Sequence, residues 1–244
     1  MKGLKEKWAL VTGASRGIGK EIATALSTLG CNLILHSRTV QHTKTLAELL
    51  SCNGVHTVSL AADLSEPVQV TNLLLEIENA VPRIDILYNN AAIMPPYHED
   101  IWNIPAEEFR QSFETNVISQ IRICNALIPS MIERRWGRVI NLVSGIDKQP
   151  QLAPYAISKA AFQKFTHDHA PLLENTGVAI NALDPGWLRT DMGSEEAPNP
   201  VDSVIPGALV PALLPHSVSG REFKAQDYAG MSIEQALQHA ERRK

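Results

Sequence analysis

Short apolar runs alternate along the chain with longer segments in which hydrophobic residues recur at helical spacing. Each short run is apolar throughout, a pattern typical of a strand covered on both faces. The predicted strands are residues 8–11, 31–35, 55–61, 84–88, 139–143 and 178–183, followed by a last short strand at 221–225. The predicted helices are residues 20–26, 39–50, 65–80, 105–135 with a break near Asn116, 154–175 and 232–243.

This alternation predicts an α/β fold: a single-domain, Rossmann-type, doubly wound parallel sheet with helices on both faces. No linker-like composition occurs before residue 190, so residues 1–244 are predicted to form one domain. Segment 191–216 is rich in proline and lacks periodicity. Because ligands of such sheets bind beyond the carboxyl ends of the strands, we expect this segment to cover the substrate, with an irregular surface loop as the alternative. Residues 217–244 supply the last strand and helix.

Composition and charge exclude several classes of function. The 244 residues are 44% hydrophobic and 20% charged, the balance of a globular protein. A net charge of −4 without a long basic block argues against a nucleic-acid partner. The three cysteines lack C-x-x-C spacing, and His167 and His169 point apart on a predicted helix, so no metal site is expected. No apolar run suits a signal peptide or a bilayer span of about 20 residues, so we expect a cytoplasmic protein without a membrane partner.

A glycine-rich turn follows the first predicted strand and precedes the first predicted helix. It reads Thr12-Gly13-Ala14-Ser15-Arg16-Gly17-Ile18-Gly19. Its glycines let the backbone approach a pyrophosphate and let the helix N-terminus face that group. Residues 13–17 also fit G-x-S-x-G, the nucleophile elbow of hydrolases, but that elbow needs an oxyanion loop from an earlier strand. Dinucleotide binding is therefore the favoured interpretation, with a turn that binds nothing as a further alternative.

Tyr155 and Lys159 follow Pro154, a residue typical of the first turn of a helix. Residues four apart on a helix share a face, so the ammonium group should lie near the phenol. A free phenol titrates near ~10, and a neighbouring positive charge favours its anion. Ser144, at the end of predicted strand 139–143, offers a hydroxyl to a substrate oxygen. The spacing suits a tyrosine general acid/base, although an amphipathic tyrosine beside a lysine that reaches solvent gives the same pattern.

Together these motifs resemble the short-chain dehydrogenase/reductase family, in its compact single-domain branch. The residues that carry the resemblance are Gly13, Gly17, Gly19, Asn89, Asn90, Ala91, Asn116, Ser144, Tyr155, Lys159, Pro185 and Gly186. The likeness covers roughly residues 5–190. It implies an enzyme that transfers a hydride between a nicotinamide dinucleotide and a small-molecule carbonyl or alcohol. It also implies a homodimer or homotetramer.

The resemblance implies roles for four catalytic residues. Tyr155 is expected to act as the acid/base, and Lys159 to lower its pKa and hold the nicotinamide ribose. Ser144 is expected to polarise the substrate oxygen. Asn116 is expected to brace a proton-relay water at a break in its helix.

The resemblance likewise implies a set of cofactor contacts. Thr190 is expected to contact the carboxamide, and Asp63 with Leu64 the adenine. The other expected contacts are Gly13, Ser15, Arg16, Gly17, Ile18, Gly19, Arg38, Asn90, Ala91, Tyr155, Lys159, Pro185, Gly186 and Leu188.

The choice between NAD and NADP depends on the end of the second predicted strand. An NAD site places an acidic residue there to bind the ribose diol. Residues 35–38 read Leu-His-Ser-Arg and contain no acid. Arg38, with Arg16 in the glycine turn, offers guanidinium groups to a 2′-phosphate, although two solvated arginines are the alternative. NADP(H) is therefore the predicted cofactor, with NAD(H) as the other choice.

Two further functions compete with an oxidoreductase. One is a non-catalytic dinucleotide-binding regulator, which would have no need of the Tyr155–Lys159 pair. The other is a sugar-nucleotide epimerase or dehydratase, a related class that shares the Tyr-x-x-x-Lys motif. Such chains carry a C-terminal substrate domain, for which 244 residues leave little room.

Overall fold

Seven parallel strands form one sheet in the computed structural model, which describes residues 4–242. The strands are β1 (Trp8–Val11), β2 (Asn32–Ser37), β3 (Thr57–Ala61), β4 (Ile86–Asn89), β5 (Gly137–Leu142), β6 (Val178–Asp184) and β7 (Glu222–Lys224). Their order in the sheet is β3-β2-β1-β4-β5-β6-β7, so the chain reverses its direction of winding between β1 and β4. The predicted parallel sheet is confirmed, including its short last strand.

The helices lie on both faces of this sheet. They are α1 (Gly17–Thr28), α2 (Gln41–Ser51), α3 (Pro67–Ala80), α4 (Ala106–Phe113), α5 (Ser119–Glu133), α6 (Ala153–His169), α7 (Val210–Leu213) and α8 (Ile233–Arg242). Successive residues of a strand point to opposite faces. Val11 accordingly packs in one core cluster with Ile22 of α1, whereas Leu10 packs in the other with Val70 of α3. Strands buried on both faces explain why the apolar runs in the sequence are continuous.

Two helix boundaries differ from the sequence-based prediction by three residues or more. Helix α1 begins at Gly17, inside the glycine turn and three residues before the predicted start. Helix α6 ends at His169, because Pro171 cannot continue the hydrogen bonding and a short 3₁₀ turn follows. Helix α8 is described as far as Arg242, and its predicted end at Arg243 lies outside the described residues.

The predicted covering segment 191–216 divides into two parts. Residues 201–213 form 3₁₀ turns and helix α7, and Val204, Ala208 and Leu209 are buried in the core. Tyr88 of β4 donates a hydrogen bond from its hydroxyl to the Ala208 carbonyl at 2.9 Å. Sequence periodicity could not reveal this packing, because each turn is too short to show a period. Residues 191–200 are exposed or half-buried, apart from the buried Ala197.

Within residues 4–242, no helix combines the length and the apolar character that a membrane crossing requires.

Candidate active site

The candidate site lies beyond the carboxyl ends of the neighbouring strands β1 and β4. A cleft forms there because the connections after the two strands run to opposite faces. The glycine turn follows β1 and leads directly into α1. Ligands of doubly wound sheets bind at such a point, so the fold brings the glycine turn and the Ser144–Tyr155–Lys159 group to one edge.

The glycines of the glycine turn lie in close contact with neighbouring protein atoms. Gly13 and Gly17 adopt positive φ angles of 66° and 55°. A Cβ on Gly19 would lie 2.3 Å from the Gly13 carbonyl oxygen, nearer than any real side chain approaches. A Cβ on Gly17 would lie 3.4 Å from the Thr190 methyl group, so the segment after β6 covers the turn. The glycines thus let the turn pack closely against its neighbours at the start of α1, and its predicted contact with a pyrophosphate stays a prediction.

Asn90 and Ala91 tie the end of β4 to this turn. The Asn90 side-chain amide donates to the carbonyls of Thr12 at 2.8 Å and Gly13 at 3.1 Å. The Thr12 hydroxyl accepts from the backbone N–H groups of Asn90 and Ala91 at 2.9 and 3.0 Å. These contacts leave the Asn90 side chain engaged with the turn itself. Its structural role is therefore to set the position of the turn relative to β4.

His36 is a further residue of the site, which the sequence analysis did not single out. It is buried in β2; its Nδ1 accepts from the Gly13 N–H at 3.3 Å, and its Nε2 lies 3.1 Å from the Ala62 carbonyl oxygen. Burial lowers the pKa of His36 from 6.5 to about 4, against raising effects from the Ala62 hydrogen bond and the Asp63 charge. The ring is therefore neutral, and the two partners require the tautomer protonated on Nε2. A polar residue near the end of a strongly apolar strand was the signal available in the sequence.

Ser144, Tyr155 and Lys159 come together where β5 ends and α6 begins. The Ser144 side chain lies close enough to Tyr155 to lower the pKa of the phenol. The buried Lys159 Nζ donates to the Leu142 carbonyl at 2.8 Å and lies 5.9 Å from the centre of the Tyr155 ring. The predicted face-sharing of the tyrosine and lysine is thus present. The lysine is held by the end of β5, which also carries the serine.

The pKa of Tyr155 departs from the prediction. It is raised, because desolvation by burial and the Asp184 charge outweigh the lowering effect of the Ser144 hydrogen bond. The sequence analysis predicted that Lys159 lowers this pKa, and that prediction is wrong for the net direction of the shift. The same burial lowers the pKa of Lys159 from 10.5 to about 8. At neutral pH the phenol is protonated and the lysine carries its charge.

Asn116 lies in a π-helical turn, Glu114–Ile118, between α4 and α5. The predicted break in the long helix is therefore confirmed. Its side-chain oxygen accepts from the Ile93 N–H at 2.8 Å, and its amide donates to the Ile93 carbonyl and the Ser158 hydroxyl, both at 2.9 Å. Asn116 thus joins the segment after β4 to α6, one residue before Lys159. Its expected contact with a relay water stays a prediction.

The residues around the predicted adenosine site form two separate groups. Arg38 is exposed just after β2. Burial acts to raise the pKa of Asp63, but hydrogen bonds from Ser65 and the charge of Arg38 act to lower it, and the net shift is downward. Arg16 is also exposed but forms a 2.5 Å ion pair with Asp191. Arg38 thus interacts with Asp63 and Arg16 with Asp191, and their predicted contacts with a 2′-phosphate stay predictions. Leu64 is a buried core residue, so its side chain belongs to the core cluster with Val70.

The turn after β6 approaches the glycine turn from the other side. Gln226 donates to the Pro185 carbonyl at 2.9 Å, and a Cβ on Gly186 would lie 2.7 Å from the Gln226 side chain. Leu188 is buried in the core, whereas Thr190 uses its hydroxyl to accept from the Gly193 N–H at 3.0 Å. Their predicted cofactor contacts, like those of Ser15 and Ile18 in the glycine turn, stay predictions.

The cleft, its glycine turn and the adjoining serine, tyrosine and lysine define a nucleotide-binding α/β enzyme. The family model described as short chain dehydrogenase matches residues 7–200, and the chain belongs to this family. It is therefore a short-chain dehydrogenase/reductase, an enzyme that acts on carbonyl or alcohol groups.

Individual relatives agree with this assignment. The chain is 32% identical over 228 residues to the 3-oxoacyl-[acyl-carrier-protein] reductase FabG of Pseudomonas aeruginosa, covering 93% of this chain and 88% of that protein. It is 33% identical over 202 residues to a short chain dehydrogenase of Pseudocercospora fijiensis, covering 79% of this chain but only 63% of that protein. A gluconate 5-dehydrogenase from Burkholderia cenocepacia, solved with NADP and tartrate, superposes with a TM-score of 0.80. That match is 25% identical and covers 91% of this chain and 95% of that one.

Proposed function

We propose that this protein is an NADP(H)-dependent oxidoreductase in which Tyr155 is the acid/base. The observation that carries the proposal is the placement of Tyr155 beside Ser144 and the buried Lys159, at the same sheet edge as the glycine turn. The family assignment favours this function over a non-catalytic regulator and over a sugar-nucleotide epimerase or dehydratase. When bound, the nicotinamide ring supplies or accepts the hydride.

The chain's own groups then handle the substrate oxygen and its proton. Ser144 and Tyr155 both present hydroxyl groups to a carbonyl oxygen placed between them. A phenol with a raised pKa holds its proton at neutral pH, so it is suited to donate that proton to the oxygen during carbonyl reduction. Lys159 remains charged below pH about 8 and stabilises the phenolate left behind. In this proposal Tyr155 is at neutral pH in the protonation state that carbonyl reduction requires.

The glycine turn is expected to hold the pyrophosphate of such a cofactor, since it leads into the N-terminus of α1 at Gly17 and anions bind favourably at helix N-termini. The preference for NADP(H) rests on Arg38 and Ser37. Ser37 is the last residue of β2 and donates its hydroxyl to the Thr39 carbonyl at 2.7 Å, so no carboxylate stands at the ribose position. The exposed Arg38 follows it and can bind a 2′-phosphate by a charge-assisted hydrogen bond.

Steady-state kinetics with NADPH and NADH, over a panel of ketones, aldehydes and quinones, test the proposal. Arg38→Ala should raise KM for NADPH by about ten- to a hundredfold and leave NADH nearly unchanged, since such a contact is worth roughly 1.5–3 kcal/mol. Adding Ser37→Asp should reverse the preference, because a carboxylate binds the ribose diol and repels the phosphate. Arg110→Ala, at an exposed position on α4, is the matched control. A wild-type enzyme that prefers NADH would refute the cofactor assignment.

We further propose a homodimer or homotetramer in the cytoplasm. Ile118 and Ile157 are 44% and 49% exposed on neighbouring helical segments, and burial of such side chains favours association. Sedimentation equilibrium of the wild type and of Ile157→Glu tests the assembly, and a wild-type protein that stays monomeric would contradict it.

A further inference from the structure

Asp184 carries a carboxylate beside Ser144 and Tyr155, and the proposed mechanism does not use this carboxylate. It is the last residue of β6, and the β5–β6 register pairs Leu183 with Leu142, two residues before Ser144. Asp184 is half-buried, and among residues 4–242 it forms no salt bridge. Its register neighbour on β7, Lys224, is exposed and forms no ion pair with it. The carboxylate therefore has no ion-pair partner among the described residues.

The two oxygens of Asp184 have different surroundings. Oδ1 accepts a hydrogen bond from the Gly186 N–H at 2.9 Å and so orders the turn after β6. Oδ2 points toward Gly145, where a Cβ would lie only 2.6 Å away. No group among the described residues donates a hydrogen bond to Oδ2. Gly145 is exposed and directly follows Ser144, so this oxygen lies against the residue next to the serine.

Tyr155 responds to the same carboxylate. The charge of Asp184 is one of the causes that raise the pKa of Tyr155, together with the larger effect of burial. The carboxylate thus lies close enough to Tyr155 for its charge to favour the protonated phenol. A substrate whose oxygen lies between Ser144 and Tyr155 experiences the same field.

We propose that Asp184, with room left for it by Gly145, is a specificity-determining residue that selects neutral, hydroxylated carbonyl substrates against those carrying a carboxylate or phosphate near the reacting carbon. The inference rests on the proposed carbonyl reduction and names the substrate class of that site. A like charge beside the carboxylate is unfavourable, because few water molecules remain to screen it in a partly buried site. A substrate hydroxyl next to the carbonyl instead donates to the unpaired Oδ2.

Asp184→Asn removes the charge and keeps an oxygen that can accept from the Gly186 N–H. Asp168→Asn, at the exposed end of α6, makes the same change in net charge away from the site and serves as the control. We would measure kcat/KM for methyl acetoacetate and for acetoacetate, a neutral ester and its anionic acid. If one of the two compounds is not reduced, we would compare their inhibition constants, measured against a ketone that the enzyme does reduce.

The wild type and Asp168→Asn should prefer the ester, and Asp184→Asn should reduce that preference by roughly 10- to 100-fold. Gly145→Ala, whose new methyl group would displace Oδ2, should reduce it as well and gives a second route if Asp184→Asn does not fold. A preference that stays unchanged in folded, active variants would overturn the inference while the proposed function stands. Equal losses for ester and acid would also overturn it, since they indicate only the ordering of the turn. A wild type that reduces no carbonyl compound would refute the proposed function itself, and this inference with it.

Discussion

His36 should make the stability of the protein fall between pH 6.5 and pH 4. The ring is buried between the Gly13 N–H and the Ala62 carbonyl, and both contacts use the neutral tautomer. Protonation would place a second N–H opposite the Gly13 N–H and would bury a charge. The folded protein therefore resists protonation, whereas an unfolded chain accepts a proton at the ordinary pKa.

The magnitude follows from the two pKa values. Burial, the largest cause, lowers the pKa of His36 from 6.5 to about 4. Between these values the unfolded chain binds a proton that the folded protein does not, so the free energy of unfolding decreases as the pH falls through 6.5 and levels off below about 4. At pH 5 the loss is about 2 kcal/mol, and at pH 4 or below it approaches about 3 kcal/mol. Asp63, whose pKa is lowered from 3.8, loses its contribution only at more acidic pH.

Urea unfolding at pH 7.5 and pH 5 measures this effect. His36→Gln cannot titrate, so it should lose about 2 kcal/mol less than the wild type between the two pH values, although it starts about 1 kcal/mol less stable through a lost hydrogen bond. His216→Gln, at an exposed position, is the matched control and should follow the wild type. If the wild type and His36→Gln lose the same free energy of unfolding, the buried neutral histidine does not account for the acid sensitivity.

Three further changes test the site. Tyr155→Phe should lower kcat by ~10²–10⁴-fold while NADPH still binds by fluorescence titration; more than about a tenth of the wild-type kcat would mean that another group protonates the substrate. Lys159→Met should abolish turnover without lowering the melting temperature by more than about 5 °C, because it also removes a buried charge. The cost of burying that charge is visible in the lysine pKa, which desolvation lowers to about 8. Gly19→Ala should abolish cofactor binding in the same titration, since its Cβ would lie 2.3 Å from the Gly13 carbonyl oxygen; Gly54→Ala, whose Cβ meets no atom within 4 Å, should retain it.

The sequence by itself determined the class of fold and most of the site. Continuous apolar runs predict strands covered on both faces, and their alternation with helical periodicity predicts a parallel sheet. The glycines of the first turn and the four-residue spacing of Tyr155 and Lys159 are local features, so the sequence shows them directly. The break near Asn116 was also foreseen from the resemblance, and the π-helical turn Glu114–Ile118 confirms it.

Only the tertiary structure decided which charges and hydrogen bonds act on those residues. The raised pKa of Tyr155 results from burial and from Asp184, which is 29 positions further along the chain and reaches the site through the pairing of β5 with β6. His36 contacts Gly13 only because β2 lies beside β1 in the sheet. The packing of Ala208 against Tyr88 joins residues 120 positions apart. Periodicity reports the environment of one element at a time, whereas desolvation and Coulomb interactions depend on neighbours that folding brings from distant parts of the chain.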